Sequence, residues 1–424
     1  MKKIRCGIIA RLIMLKKLFY FYHDLPAGFR VLLLAMFVDR LGGTILYPFF
    51  ALYITRTLQV GMTEAGILLG LFSLFGVAGS MVGGAMADKI GRRRIVIFGL
   101  LSSAAGSVVM AFLHSLPAFY ITAAVVGFLG NIASPAHQAM VADLLPESRR
   151  VEGFGLLRIA ANLSWILGPT LGGLLAQHSY ALLFIVDAIA STAAAWLVFH
   201  YLPETKPQPA AGSAHLSWRQ TTAGYLLVAR DRLFIAFLLA TALMLLVYGQ
   251  MYHTLAVFLR DVHGVSDGDY GRLISIDALT VVLLQAWVSR RVRQVQPLLL
   301  MALGAALYLV GFTMFGFVAG YALFVLAILI ITFGEMIAVP VGQALAARFA
   351  PDDMLGRYMA FVDFGWAIPA TIGPTAAGLI LDNYTPQWVW YACGLIAAAA
   401  VAGFLWLHTH VAARFNPLPE DSTS

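Results

Sequence analysis

The residues of this sequence best able to do chemistry are ionisable side chains placed inside long apolar runs. Inserting such a side chain into a membrane-spanning helix costs about 2.5 to 3.5 kcal/mol, so each one is a candidate functional residue. A carboxyl group in a low-dielectric cavity binds a proton more readily than one in water, which is the chemistry of proton coupling. The candidates are Asp39, Arg40, Arg158, Asp187, Asp277, Glu335 and Asp363.

The depth of each acid in its apolar run ranks these candidates. Asp39 lies ten residues after Phe29, and Glu335 lies fourteen after Tyr321, where two of the runs begin. At about 1.5 Å per residue, both acids reach the middle of a bilayer. We therefore predict that Glu335 and Asp39 couple transport to protons. The alternative for Glu335 is a structural acid bonded to a neighbouring amide or hydroxyl group.

Two further acids, Asp187 and Asp277, lie nearer the outer ends of their runs. A structural or gating role suits them at least as well as proton coupling. Asp39 and Arg40 lie about 100° apart on a helix, so they cannot face the same way. We expect one of them to face a cavity and the other to pair with a neighbouring helix.

The elements that hold these residues are membrane spans. The 424-residue chain is 60% hydrophobic and only 12% charged, about half the charge of a soluble globular protein. Its charge-free runs are long enough for helices that cross a bilayer, which takes about 20 residues. The predicted spans, numbered 1 to 12, cover 29–53, 63–87, 95–114, 118–143, 153–176, 181–202, 232–258, 269–290, 298–317, 321–348, 356–381 and 387–410.

The distribution of Lys and Arg predicts the orientation of the chain. Most of them fall in segments that would all lie on one side of the membrane, and basic residues are retained in cytoplasmic loops. Only Arg56, Arg260 and Arg272 fall on the other side. Both termini are therefore predicted to be cytoplasmic in an inner (plasma) membrane. The net charge of +7 follows from this topology, and no nucleic-acid partner is expected.

The chain divides at a polar, Pro-rich stretch into two similar parts. Residues 135–158, which begin PAHQAMVADLLP, align without a gap with residues 340–363, which begin PVGQALAARFAP. Two six-span bundles with pseudo-symmetry and a site between them near the midplane describe a secondary transporter. The predicted segments are an amphipathic cytoplasmic segment 1–27, a bundle 28–202, a cytoplasmic linker 203–231, a bundle 232–410 and a cytoplasmic tail 411–424.

A charged loop between spans 2 and 3 carries the first motif, Gly84-x-x-x-Asp88-Lys89-x-Gly91-Arg92-Arg93. It resembles the signature loop of the major facilitator superfamily, and with the twelve spans and the duplication the resemblance covers essentially the whole chain. The resemblance implies an all-α membrane protein of twelve transmembrane helices in two pseudo-symmetric bundles. It also implies that the loop acts as a cytoplasmic latch between the halves.

The chemistry of this loop is readable from its residues. Gly84 and Gly91 permit close approach and a sharp turn. Asp88 can cap the N-terminus of a helix in the other half, where the helix dipole favours negative charge. Arg92 can pair with a carboxylate, for which Asp143 at the inner end of span 4 is the nearest candidate. The alternative is that the basic residues only anchor a short cytoplasmic loop.

A second motif lies in span 5 and consists of Gly155, Ser164 and Gly168-Pro169-Thr170-Leu171-Gly172-Gly173. It resembles the antiporter motif of the drug:proton antiporter branch of the superfamily, with Ser164 where that pattern usually has Gly. Small residues let helix backbones approach, so ordinary helix packing is the alternative reading. Similar antiporters have a carboxylate in span 10, and in this sequence the carboxylate of span 10 is Glu335. Where the family usually has an Arg in span 4, this sequence has Ala123.

Two further groups of residues are predicted from their positions. Arg158 and Asp363 occupy equivalent places in the two halves, which suggests a charge pair that bridges the halves and breaks when the inner side opens. The alternative is that each pairs within its own half. The substrate cavity is predicted to be aromatic and polar, suited to cationic or amphipathic molecules. Its predicted residues are Arg40, Tyr47, Asn131, Trp165, Tyr248, Gln250 and Trp366.

The sequence thus predicts a transporter and not an enzyme. No cofactor is expected, and the predicted energy source is the proton gradient. No metal site is expected among the His residues. Its partners are protons, a small-molecule substrate and the lipid bilayer, and it is expected to be a monomer. The predicted function is proton-coupled efflux of small amphipathic or cationic compounds by alternating access. The alternatives are proton-coupled transport of one endogenous sugar, peptide or lipid, and a non-transporting membrane sensor.

Overall fold

The computed structural model of the protein describes residues 25–205, 227–351 and 354–411, and every regular element in those ranges is helical. Eleven helices there are long and apolar enough to cross a membrane, and they correspond to predicted spans 2 to 12. Span 1 is not among the eleven because it carries Arg30, Asp39 and Arg40. The predicted all-α membrane fold is confirmed, with a charged and broken first span.

The spans of the first half begin and end within a few residues of their predicted bounds. Span 1 consists of two helices that a 3₁₀ turn at Tyr47–Phe49 joins, and span 4 is divided at Ile132. The helices are Ala27–Leu46 and Phe50–Thr57 (span 1), Met62–Ile90 (span 2), Arg92–Ala111 (span 3), Leu116–Asn131 and Ala133–Leu144 (span 4), Arg150–Ala176 (span 5) and Tyr180–Tyr201 (span 6).

The second half repeats this plan, and its first span is also divided. The helices are Arg232–Gly249 and Thr254–His263 (span 7), Asp267–Val292 (span 8), Pro297–Met314 (span 9), Tyr321–Phe349 (span 10), Leu355–Asn383 (span 11) and Trp388–Val411 (span 12). Most of the predicted amphipathic segment 1–27, of the linker 203–231 and of the tail 411–424 lies outside the described residues, so those predictions stay untested.

Most helix packing lies within one half. In the first half, span 1 packs on spans 5 and 6, span 2 on span 4, and span 3 on span 6. In the second half, span 9 packs on spans 10 and 12, and span 7 on spans 11 and 12. The halves meet chiefly where span 2 lies along span 11 and span 5 along span 8. Side chains of spans 1, 5, 7, 8, 10 and 11 line a central space between the halves.

The two ends of the bundle differ in how the halves pack. The outer end contains residues 57–62, 176–180, 263–267 and 383–388, and the inner end contains residues 90–92, 144–150, 292–297 and 349–355; the names follow the predicted orientation. Near the outer end the Phe49 and Tyr270 rings, one from each half, pack edge to face with centroids 5.7 Å apart. Near the inner end, Phe29, Val96 and Val198 form a cluster confined to the first half.

Candidate functional site

A cavity of about 590 Å³ lies between the two halves. Spans 1 and 5 line it from the first half, and spans 7, 8, 10 and 11 line it from the second half. This volume lies within the range of small-molecule sites, roughly 300 to 1,000 Å³. Its polar and aromatic lining residues are Arg40, Thr44, Tyr47, Asn162, Trp165, Tyr248, Gln250, Tyr252, His253, Asp277, Glu335 and Trp366.

Two helix breaks turn backbone and polar side chains toward this cavity. Span 1 breaks at Tyr47–Phe49, where Pro48 supplies no N–H to a helical hydrogen bond. Span 7 breaks after Gly249, and its second helix begins at Thr254. Irregular backbone is tolerated at membrane depth only where it is buried in protein or lines a cavity. The breaks therefore mark the wall of the site on both halves.

Aromatic side chains from both halves close the outer side of the cavity. The Trp165 and Tyr252 ring centroids lie 4.9 Å apart, and Tyr47 meets Trp165 edge to face at 6.1 Å. Tyr47 also shares a hydrogen bond with His253, with 3.0 Å between the hydroxyl oxygen and Nε2. Tyr47 and Trp165 belong to the first half and the other two to the second. We call Tyr47, Trp165 and Tyr252 the aromatic box. Because its residues come from both halves, they must separate when the outer side opens.

Two carboxyl groups reach the cavity from the second half. The Thr332 hydroxyl donates to Oδ1 of Asp277 at 2.6 Å, and Asp277 is buried. Oε2 of Glu335 is also buried and has no hydrogen-bond partner among the described residues. The charges of Asp277 and Arg158 both act on Glu335. The Tyr248 hydroxyl also acts on the Glu335 carboxyl group as a hydrogen-bond donor, so Oε2 is the oxygen of this group that is left to accept a further hydrogen bond.

The neighbouring residues Asp39 and Arg40 point in different directions. Ser191 of span 6 donates to Oδ1 of Asp39 at 2.8 Å, whereas Arg40 lines the cavity. Deeper in the first half, Ser107 donates to Oδ2 of Asp187 at 2.5 Å. The charge of Asp39 acts on both Asp187 and His137. The first half thus holds a separate acid cluster behind the cavity wall.

Hydrogen bonds from one half to the other close the outer end. The backbone N–H groups of Met62 and Thr63 donate to the Asp382 carboxylate at 2.9 and 2.7 Å, and so does the Thr63 hydroxyl at 2.6 Å. Asp382, from the end of span 11, thus caps the N-terminus of span 2. Tyr180 donates to Oδ2 of Asp267 at 2.8 Å, which joins span 6 to span 8.

A third outer contact involves Arg260, at the end of span 7. Its guanidinium group donates to the Leu52 carbonyl at 3.3 Å and to the Thr55 hydroxyl at 3.1 Å. These acceptors lie in the last turns of the Phe50–Thr57 helix, where a cation is favourable. All three outer contacts connect one half to the other.

The charged loop at the inner end makes its contacts within the first half. Arg92 pairs with Asp143 of span 4. Gly91 has φ +118°, a backbone conformation that favours glycine, and the Arg93 N–H after it donates to Oε1 of Glu204 at 3.0 Å. Asp88 is exposed, and within the described ranges its carboxylate has no hydrogen-bond or ion-pair partner.

This architecture agrees with the sequence comparison. The family model described as Major Facilitator Superfamily matches residues 32–360 and 333–424. The chain belongs to this superfamily. It is therefore a transporter, and the eleven apolar helices among its described residues make it a multi-pass membrane protein.

Relatives within the superfamily cover nearly the whole chain. The chain is 24% identical to the "Na(+), Li(+), K(+)/H(+) antiporter" of Planococcus maritimus, over 91% of this chain and 96% of that protein. It is 25% identical to "Multidrug resistance protein MdtH" of Yersinia enterocolitica, over 88% of this chain and 93% of that protein. The solved structure of the nucleoside transporter NupG is similar in fold, with a TM-score of 0.74, 14% identity, and coverage of 89% of this chain and 98% of that one.

The structure of this superfamily member brings most of the predicted cavity residues together. Arg40, Tyr47, Trp165, Tyr248, Gln250 and Trp366 all line the central cavity. Asn131 does not. Its amide donates to the Gly127 carbonyl at 2.9 Å and lies against Gly76 of span 2. The prediction for Asn131 was wrong because the rotation of span 4 turns this side chain toward span 2.

The predicted pair Arg158 and Asp363 is not formed. Both side chains are exposed, and no ion pair joins them in the parts of the chain that the structure describes. The outer contacts of Asp382, Asp267 and Arg260 are all made in the same structure. The predicted inner charge pair is thus open while the outer end is closed.

The span 5 motif lies where span 5 packs against spans 1 and 8. Gly168 and Gly172 face span 1, where a Cβ would overlap Thr44 and the Ile45 carbonyl, and Gly173 faces the Asp267 backbone of span 8. Pro169 lies inside the helix, and its carbonyl faces span 8. Gly155 differs, because nothing lies within 4 Å of a Cβ placed there.

Sequence reasoning missed several residues of the site and its ends. His253 lines the cavity, Glu204 caps span 3, and Asp382 caps span 2. Asp277 was among the candidate acids, and the structure places it in the cavity wall. The break of span 7 at Gly249-Gln250 was the available signal for His253. For Asp382 and Glu204 the sequence offers no signal, because both act on a helix distant in the chain.

Proposed function

We propose that this transporter couples protons to the efflux of small amphipathic or cationic compounds by alternating access, in an inner membrane with both termini cytoplasmic. The observation that carries the proposal is Glu335: a carboxyl group in the cavity between the halves whose Oε2 is buried without a hydrogen-bond partner among the described residues. A buried carboxylate with an unpartnered oxygen is costly, so proton binding there depends on what occupies the cavity. Substrate and proton thus compete for one group.

Rocking of the two halves supplies the movement. The outer contacts of Asp382, Arg260 and Asp267 break as the inner latch of Asp88, with Arg92 and Asp143 beside it, closes. The glycines of spans 2 and 5 let helices of opposite halves slide against each other as rigid bodies. Asp39, behind the cavity wall and next to Arg40 in the chain, is the second proton-coupling residue of this proposal.

The proposal is tested in everted vesicles with an imposed pH gradient. An exporter in an everted vesicle pumps into the lumen, so we expect pH-driven accumulation of a fluorescent amphipathic cation there and at least a tenfold loss of its rate in Glu335→Gln, with a smaller loss in Asp39→Asn. The matched control is Glu147→Gln, an exposed loop acid that lies outside the cavity. Unaltered pH-driven accumulation in Glu335→Gln would refute the coupling role.

A second candidate function is exchange of monovalent cations for protons. Two carboxyl groups, Asp277 and Glu335, line one cavity, and oxygen ligands suit small hard cations. The relative named as a Na(+), Li(+), K(+)/H(+) antiporter spans the same length of chain. Addition of NaCl or KCl to acid-loaded everted vesicles separates the two candidates, since only cation exchange releases protons from vesicles without an organic substrate.

A further inference from the structure

The central cavity carries a cation on one half and, on the other half, a carboxyl group with one unpartnered oxygen. Arg40 of span 1 lines the cavity, is exposed to it, and has no hydrogen-bond or ion-pair partner among the described residues. Its neighbour Asp39 does not neutralise it, because Asp39 points to Ser191 of span 6. On the second half, Oε2 of Glu335 is buried without a partner in the same described ranges.

The Arg40 guanidinium group and Oε2 of Glu335 can each find a further partner in the contents of the cavity. An intramembrane ionic side chain normally pairs with another charge or with backbone carbonyls. Asp277 does not fill this role for Arg40, since it lies on the second half beside Glu335 and accepts from Thr332. The two walls therefore present a cation and a carboxyl group that do not satisfy each other.

We infer that the substrate of this cavity is dipolar, with an anionic group that pairs with Arg40, a cationic group that pairs with Glu335, and an aromatic body between them. The inference rests on the proposed transport through this cavity. A guanidinium group forms two parallel hydrogen bonds with a carboxylate, which makes Arg40 a suitable anion partner. The aromatic box of Tyr47, Trp165 and Tyr252 accepts a flat apolar body.

The placement of the charges gives a reason for selectivity. A simple cation gains the contact with Glu335 but leaves Arg40 without a partner, so it should bind less tightly than a dipolar molecule. A dipolar molecule satisfies both walls. Because Arg40 and Glu335 belong to different halves, such a molecule also connects the halves during transport.

Three compounds with one aromatic body test this inference. The compound 6-(aminomethyl)-2-naphthoic acid carries an amine and a carboxylate at opposite ends; its methyl ester is only cationic, and its N-acetyl derivative only anionic. Binding to the full-length protein in lipid nanodiscs is measured by naphthyl fluorescence. We expect the dipolar compound to bind roughly tenfold tighter than either derivative, as one lost charge-assisted hydrogen bond implies.

Substitution of each charged residue shows which group of the compound it binds. Arg40→Gln should abolish the advantage over the ester but keep the advantage over the N-acetyl compound, and Glu335→Gln should do the reverse. Arg94→Gln, an exposed base of the inner loop, is the matched control. Equal or tighter binding of the ester by the native protein, or failure of all three compounds to bind, would overturn the inference. Binding with this pattern but without pH-driven transport would instead refute only the proposed function.

Discussion

The two ends of this transporter use the same kinds of charged residue in opposite ways. At the outer end, Asp382 and Arg260 each reach a helix end of the other half. At the inner end, Arg92 pairs with Asp143 in its own half, and Asp88 has no partner within the described ranges. The difference shows which contacts must break and which must form when the cavity changes sides.

Spans 2 and 11 illustrate the relation between the ends. They run antiparallel along each other, and each carries an Asp close to its C-terminal end, Asp88 in span 2 and Asp382 in span 11. Each Asp is therefore placed near the N-terminal end of the other helix. Of these two residues, Asp382 makes its cap here. In the proposed transport cycle, the caps at the two ends therefore form in alternation.

The largest expected effect comes from a change that wedges the outer end apart. A Cβ at Gly70 of span 2 would overlap the Thr371 carbonyl oxygen of span 11. Overpacking of a tight contact costs about 1 to 3 kcal/mol, so Gly70→Ala should shift the protein toward the outward-open state. The measurement is labelling of a single engineered cavity cysteine by an impermeant maleimide from outside.

The control for this prediction is Gly130→Ala in span 4. A Cβ there would meet only the Ser103 Cβ, at an ordinary contact distance of 3.9 Å. Its labelling rate should equal that of the native chain. Equal labelling of Gly70→Ala and Gly130→Ala would show that the contact of spans 2 and 11 does not hold the outer end shut.

A smaller effect is expected from removal of the outer cap. Asp382→Asn replaces a charged cap by a neutral one, and loss of capping interactions costs about 0.5 to 2 kcal/mol. The outward-open population should rise by about three- to tenfold, again read by cavity labelling. Asp269→Asn is the matched control, because Asp269 lies at the outer end but bonds with Ser266 and Arg272 of its own half.

The smallest effect on this conformation is expected from the inner latch. Asp88→Asn removes no contact seen in the described ranges, so the melting temperature of the solubilised protein should stay unchanged. Transport should nevertheless slow, because the cap that closes the inner end is weakened. Stopped-flow efflux and thermal melting separate the two effects. A lowered melting temperature with a normal transport rate would contradict the latch assignment.

The spans and their bounds follow from the sequence because a bilayer requires long apolar runs. The position of Glu335 near the middle of the bilayer was predicted from the same kind of count, at about 1.5 Å of helix per residue. The cavity position predicted for Asn131 was wrong, and the choice between Asp39 and Arg40 as the cavity-facing residue stayed open, since the depth of a residue says nothing about the rotation of its helix. Packing against Ser191 turns Asp39 from the cavity, and packing against Gly76 does so for Asn131.

The outer contacts were beyond the reach of sequence reasoning for another reason. Asp382 lies beside the predicted end of span 11, where an acid needs no special explanation, and its partners Met62 and Thr63 lie in the other half. The charged inner loop, by contrast, carries its glycines and its acid in one short segment. Local motifs can be read from one sequence, whereas caps between distant helices need the fold.

The most direct test of the account is a pair of distances across the two ends, measured by electron–electron resonance between spin labels. One pair, Thr57→Cys with Tyr384→Cys, spans the halves at the outer end, and the other, Lys89→Cys with Gln294→Cys, spans them at the inner end; all four positions are exposed. We expect the outer distance to lengthen and the inner one to shorten together when pH or ligand is changed. Distances that stay constant, or that change in the same direction, would contradict alternating access by rocking halves.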